Sequence, residues 1–229
     1  MIALESKRIA AEHAVAYIAD GMTVGLGTGS TAYWAIKKLG ERIQEGLQIR
    51  AIATSKKSEQ LASEYGIPII TFGEITGEVD ITIDGADEVD KNWNLIKGGG
   101  GALLREKIVA SASKVMIVVV DQRKIVDHLG LFPLPVEIVK FGFESTIQKL
   151  SQLGCTPALR IVDEKPFMTD NQNYIVDCKF DWIEDPKQLS YLINQIPGVV
   201  DHGLFIQMAH KVVIGYDDGS VKELGNKGK

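Results

Sequence analysis

A lysine, four consecutive glycines and a glutamate fall within one short stretch, Lys97-Gly98-Gly99-Gly100-Gly101-Ala102-Leu103-Leu104-Arg105-Glu106. Glycine loses more conformational freedom on folding than any other residue, so such a run points to close approach between the main chain and a ligand. On a helix, Glu106 shares a face with Ala102 and Ala110 four residues away and with Leu103 and Val109 three away. A carboxylate on that apolar stripe is partly desolvated, which raises its pKa. That suits a general base that removes a carbon-bound proton and later returns it. Lys97, across the glycines, supplies positive charge where an oxyanion would develop. A structural reading also exists, with Glu106 paired to a lysine and the glycines allowing tight helix–sheet packing. The four glycines together with Lys97 favour chemistry.

Three further motifs carry polar groups at suitable spacing. Gly25-Leu26-Gly27-Thr28-Gly29-Ser30-Thr31 looks like a dinucleotide loop, yet Ser30 stands where the third glycine belongs. The next strand ends in Thr54-Ser55 rather than an acid, so a nicotinamide cofactor is excluded. The loop then either cradles one phosphate with its amides and the Ser30 and Thr31 hydroxyls, or is a tight turn capped by Ser30 or Thr31. Asp84-Gly85-Ala86-Asp87-Glu88-Val89-Asp90 lacks the alternating acids of a calcium loop. Asp84 reads as functional, accepting from sugar hydroxyls or relaying protons, while Glu88 and Asp90 read as a solvated acidic loop. Asp87 could also cap a turn. In Asp121-Gln122-Arg123-Lys124, Arg123 and Lys124 are either phosphate cations or an exposed charged turn. Nothing in the pattern places Lys7 near these groups.

The elements that must position these motifs follow from periodicity. Apolar strands at Thr23–Leu26, 49–53, 67–71, 79–83 and 115–120 alternate with helical segments at 7–19, from about 32 to 43, at 56–65 and after the glycine run. Nearly all-apolar strands alternating with helices predict a parallel sheet covered on both faces. In open sheets of this kind, ligands collect beyond the carboxyl ends of the strands, where all four motifs fall. After Leu131-Phe132-Pro133-Leu134-Pro135 the pattern becomes β-α-β-β-α-β, with strands at 136–139, 157–162, Tyr174–Lys179 and 199–206 and helices at 144–153 and 186–196. Residues 211–216 and 221–224 read as a hairpin returning to the first domain. The expected fold class is α/β, a Rossmann-like parallel-sheet domain (1–132 with 207–229) and a smaller ferredoxin-like α+β domain (133–206).

The 229 residues, 45% hydrophobic and 24% charged, suit a soluble protein with a substantial core, and a net charge of −5 argues against general nucleic-acid binding. Cys155 and Cys178 form no metal or redox motif, which fits a reducing cytoplasm. His13, His128, His202 and His210 lack ligand spacing and read as structural or solvated. The first residues lack a signal core, and no apolar run reaches membrane length.

The glycine loop at 25–31, the acidic block at 84–88 and the block at 97–107 occur together, in this order, in ribose 5-phosphate isomerases of the A type. Leu134-Pro135-Val136-Glu137, Thr169-Asp170-Asn171 and Ile196-Pro197-Gly198-Val199-Val200 are also similar to that family. The resemblance implies cofactor-free interconversion of ribose 5-phosphate and ribulose 5-phosphate by a homodimer or homotetramer. It implies Glu106 as proton acceptor, and Asp84, Gly85, Ala86, Asp87 and Lys97 around the sugar's reactive end. Gly98, Gly99 and Gly100 would line that end, and Thr28, Gly29, Ser30 and Thr31 would form the substrate loop. Lys7 and Lys124 would face the phosphate, although Asp121-Gln122-Arg123-Lys124 departs from the family's more usual Ser-Lys after the aspartate. Two other classes are weighed: a non-catalytic sugar-phosphate sensor, for which residues 1–22 are too short to hold a helix-turn-helix, and a coenzyme A transferase with a nucleophilic glutamate.

Overall fold

A computed structural model describes residues 2–75 and 77–225. The chain separates into two compact units, one of Met1–Ala86, Arg105–Ile125 and Met208–Lys229, the other of Asp87–Leu104 and Val126–Gln207. This grouping and the sequence-derived boundaries differ chiefly over the segment Asp87–Leu104. Division into a 1–132/207–229 domain and a 133–206 domain therefore stays a proposal.

The first unit is built on a six-stranded sheet in the order Val221–Gly225, Lys211–Gly215, Ser113–Asp121, Val79–Gly85, Thr23–Leu26, Arg50–Ala53. All neighbours are parallel except the final hairpin, which closes one edge. Val118, Val119, Val120, Val212 and Val213 are buried, as expected when both faces are covered. After Thr23–Leu26 the chain adds Arg50–Ala53 on one side and then Val79–Gly85 on the other. The order therefore reverses beside Thr23–Leu26, and the crevice at such a reversal is where these sheets bind ligands. Helix Ile2–Val15 ends before the expected residue 19. Arg42 Nη1 there takes the carbonyls of Val15 at 2.7 Å and Ile18 at 2.9 Å, satisfying groups the helix leaves open.

The strand expected at 67–71 is a single bridge between Ile69 and Ala51. The Ala51 amide donates to Pro68 O at 2.8 Å and the Ile70 amide to Ala51 O at 2.9 Å. Proline has no amide to extend the ladder further.

The second unit carries a four-stranded antiparallel sheet in the order Val199–His202, Leu134–Ile138, Tyr174–Lys179, Thr156–Leu159. Helices Phe143–Ser151 and Pro186–Asn194 complete the β-α-β-β-α-β sequence. One face buries Leu134, Val136, Ile138, Val176 and Cys178 in a common core. Two expected strands are each divided. The 157–162 segment breaks at Arg160 into Thr156–Leu159 and a separate hairpin, Ile161–Val162 with Lys165–Pro166. The 199–206 segment breaks at Gly203, whose carbonyl accepts from the Lys97 amide at 2.9 Å. A Cβ at Gly203 would lie 2.2 Å from Lys97 O, so only glycine lets the chain pass so close. Beyond it, Leu204–Phe205 joins a small antiparallel sheet with Leu95–Ile96 and Glu88–Val89. That sheet delivers the backbone of Lys97.

Candidate active site

In the first unit the loop after Thr23–Leu26 meets the end of Val79–Gly85. Asp84 is 1% exposed, and its Oδ1 accepts from the amides of Thr28 at 3.1 Å and Gly85 at 2.8 Å. Gly27 permits this approach, since a Cβ there would lie 2.1 Å from that same oxygen. The Thr28 hydroxyl faces the protein instead. It bonds Thr54 Oγ1 at 2.7 Å and Ser55 Oγ at 2.9 Å, in a network that Ser58 ties to Gly27 O at 2.7 Å. Thr28 thus shapes the loop through its side chain and holds Asp84 through its amide.

Helix Ser30–Gln44 begins at Gly29, with φ +103 and no side-chain cap. The alternative in which Ser30 or Thr31 caps this turn is therefore replaced by a glycine start, which leaves the first-turn amides to other acceptors. Lys7, which the sequence could not place, reaches Ser30 Oγ at 3.2 Å and lies 3.9 Å from Asp121 Oδ2. Asp121, 2% exposed, caps the 3-10 turn Gln122–Lys124 by accepting from the Arg123 amide at 3.0 Å and Arg123 Nε at 2.8 Å. Arg123 is thereby an internal partner of Asp121. Half-buried Lys124 closes the same turn. Thr31 packs 3.6 Å from where a Cβ on Gly85 would stand, so Lys7, Ser30, Thr31 and Asp121 gather around the same strand ends.

Glu106 lies in the first turn of helix Leu103–Ser111 and is 4% exposed. Ala102, Leu103, Val109 and Ala110 are buried, as the stripe predicts. Burial removes water from the carboxylate, while the helix start supplies partial positive charge that favours its ionised form.

In the second unit Lys97 is 3% exposed, with Nζ 5.5 Å from the Phe205 ring centre. A buried ammonium over an aromatic face keeps electrostatic support without water. Asp87 Oδ2 accepts from the Gly99 amide at 2.8 Å. Gly98, at φ +103, and Gly101, at φ +77, adopt the left-handed region that glycine tolerates. Gly99 and Gly100 are exposed, whereas Ala86 is half-buried.

Glu88 and Asp90 are not the solvated residues expected. Glu88, 3% exposed, accepts from the amides of Gly130 at 2.7 Å and Phe132 at 2.6 Å. Asp90 accepts from the amides of Asn92 and Asn94, each at 2.8 Å. Backbone amides take the place of water for both carboxylates, so they brace loops. Two of the histidines are structural too: His202 Nδ1 accepts from the Leu204 amide and His210 Nδ1 from the Met116 amide, both at 3.1 Å. With Nδ1 accepting, His202 Nε2 must donate to Ser190 Oγ at 3.1 Å, which rules out this pair as an activated serine. Cys155 and Cys178 are free and buried. No group of three or more metal-ligating side chains forms among the described residues.

The sequence profile of ribose 5-phosphate isomerase A (phosphoriboisomerase A) matches residues 50–219. The chain belongs to the ribose 5-phosphate isomerase A family. Ribose-5-phosphate isomerase A of Bacillus mycoides is 52% identical over 95% of this chain and 98% of its own length. Ribose-5-phosphate isomerase A 1 of Oceanobacillus iheyensis is 51% identical over 93% and 95%. Among solved structures, ribose 5-phosphate isomerase from Plasmodium falciparum superposes with TM-score 0.94 at 42% identity, over 99% of this chain and 100% of that one. A D-ribose-5-phosphate isomerase in complex with phospho-erythronic acid gives TM-score 0.93 at 41% identity, over 97% and 98%. The protein is thus an isomerase with this family's α/β fold.

Two groups of polar residues in this isomerase escaped sequence reading. The Thr54, Ser55 and Ser58 hydroxyls were visible only as a strand end, and nothing in the pattern tied them to Thr28. Arg160 and Asp177 lie far from every motif in sequence, yet their ion pair meets the glycine run. Contacts at such separation leave no local signal.

Proposed function

We propose that the protein interconverts D-ribose 5-phosphate and D-ribulose 5-phosphate through an enediolate, with Glu106 as general base. In the forward direction the Glu106 carboxylate takes the C2 proton of the open-chain aldose, the C2–H electrons form the C1–C2 double bond, and O1 becomes the oxyanion. Glu106 then returns the proton to C1 while a proton moves from O2 to O1, leaving the ketose. Lys97 and the Gly100 amide stabilise the oxyanion. Asp84 or Asp87 assists ring opening and the proton transfer between oxygens. Ser30, Thr31, Lys7 and Lys124 hold the phosphate, and Gly29 leaves the helix amides open to it.

The observation that carries this reading is the burial of two oppositely charged side chains, Glu106 at 4% and Lys97 at 3% exposure, on either side of a glycine run. A carboxylate held on an apolar stripe is shielded from water, which makes it a better acceptor for a carbon-bound proton, and a buried ammonium acts strongly on charge that develops near it. The relative solved with phospho-erythronic acid supports it, because the planar carboxylate of that acid resembles an enediolate. Membership of the isomerase family disfavours the sensor and coenzyme A transferase readings. No helix among the described residues is long and apolar enough to cross a membrane. A cytoplasmic homodimer or homotetramer is proposed as well, in keeping with the large exposed apolar residues Leu131 and Phe141.

The test is turnover of ribose 5-phosphate in deuterium oxide with no added cofactor. The expected product is ribulose 5-phosphate carrying deuterium at C1, because a proton resting on a carboxylate exchanges with solvent. Failure to form ribulose 5-phosphate would refute the reading. Product formed wholly without solvent deuterium would argue for hydride transfer instead.

A further inference from the structure

The back of the glycine run is held by one guanidinium. Arg160, whose side chain is 13% exposed, donates from Nη1 to Gly98 O at 3.0 Å and to Gly99 O at 3.2 Å. Its other edge is fixed by a two-point pair with Asp177, Nε to Oδ2 at 2.9 Å and Nη2 to Oδ1. The main chain at Arg160 is anchored on both sides: its amide donates to Ile175 O at 2.8 Å, and its carbonyl accepts from the Phe167 amide at 2.8 Å. The Phe167 ring centre lies 5.7 Å from the guanidinium carbon, and the same ring fills the space a Cβ on Gly101 would need, at 2.4 Å. All of these groups belong to the second unit.

The consequence follows from the peptide bond. In a planar trans peptide the C=O and N–H point in opposite directions. Drawing the Gly98 carbonyl to Arg160 therefore turns the Gly99 N–H the other way, where it donates to Asp87 Oδ2 at 2.8 Å. Drawing the Gly99 carbonyl to the same nitrogen turns the Gly100 N–H away from Arg160 too. Two successive peptide dipoles are thus aligned, and with them the Asp87 carboxylate. The Gly101 amide also closes a turn on Gly98 O at 2.9 Å, and Arg160 adds a second hold on that carbonyl and one on Gly99 O, where glycine by itself is permissive. The fork of an arginine can hold a carboxylate and two carbonyls at once, which a lysine cannot.

We infer that Arg160, anchored by Asp177, is a positioning residue that aims the Gly100 amide at the oxyanion of the enediolate and, through the Gly99 amide, holds Asp87 where it can take and give the sugar's hydroxyl protons. The inference rests on the isomerase mechanism proposed above. Because a preorganised donor acts where charge develops, its loss falls on the transition state rather than on ground-state binding.

The experiment compares Arg160→Lys, Asp177→Asn and Glu106→Gln with the wild-type full chain, measuring kcat and KM for ribose 5-phosphate and inhibition by phospho-erythronic acid. For Arg160→Lys, kcat should fall about 10–100-fold with KM changing less than about threefold, as expected for misplaced groups that act in the transition state. The inhibition constant of the acid should rise in step with the loss in kcat/KM. Asp177→Asn should move both in the same direction by a smaller factor, and it decides the matter if Arg160→Lys does not fold. An unchanged kcat in the decisive variant would overturn the inference, as would a rise in KM that accounts for the whole loss. A merely structural role would lower the active fraction and leave the inhibition constant where it was. If Glu106→Gln turns over like wild type, the mechanism itself has failed. If only Arg160 proves indifferent, the mechanism stands and the positioning role falls.

Discussion

One carbon added at Gly27 would stand 2.1 Å from Asp84 Oδ1, less than any real contact allows. The carboxylate or the loop must move, and either shift breaks the bond from the Thr28 amide. Gly27→Ala should therefore lower kcat/KM by roughly 10–100-fold, since displacement by about 1 Å has that effect on positioned groups. It should also destabilise the fold by about 1–3 kcal/mol through overpacking. Parallel measurement of turnover and denaturation midpoint checks both, and an alanine variant indistinguishable from wild type would contradict the packing argument. At this scale the sequence disclosed what local spacing encodes. Glu106 and Lys97 could be picked out because a glycine run is rare and bracketed by opposite charges. Glu88 and Asp90 could not be told from surface acids, because their amide partners arise from distant chain and from a turn that folds back.

The N-terminal helix and the final hairpin are joined by a polar cluster. In it, Glu223 accepts from Tyr17 Oη at 2.7 and 2.6 Å, from Lys211 Nζ at 2.9 Å, and also bonds His13. The Tyr17 hydroxyl, then Lys211 and His13, hold the Glu223 carboxyl down at about 2 from an ordinary 4.5. Its folded value lies below its unfolded one, so on acidification the unfolded chain takes up the proton first. The stabilisation is complete above about 4.5 and is lost as pH falls towards 2. Denaturation of wild type and Glu223→Gln should show wild type more stable at neutral pH, with the gap closing as pH falls below 4.5. A gap independent of pH would contradict the linkage. The elements themselves were largely legible, because apolar runs and helical spacing are local properties. Boundaries failed where tertiary geometry intervened. Arg42 binds the carbonyls of Val15 and Ile18 where the first helix gives way to turns, and Gly203 divides a strand that its apolar pattern reads as continuous.

Across the whole molecule, two rules of chain geometry account for most of the design. Parallel strands with covered faces place the reversal of strand order at Leu26 and Gly85, where sheets of this kind bind ligands and where the proposed function puts the sugar phosphate. A split β-α-β pattern gives the antiparallel sheet beneath the glycine run. Both were readable from alternating elements, whereas the two-residue strands Glu88–Val89 and Leu95–Ile96 were not, being too short for any periodicity. The central claim concerns one carboxylate, buried in the first turn of a helix, that moves a proton between adjacent carbons. Turnover of Glu106→Gln beside wild type addresses it most directly, since glutamine keeps the shape and removes only the base. The account predicts a loss in kcat on the order of 10²-fold or more with the fold intact. Near-normal turnover by that variant would contradict it.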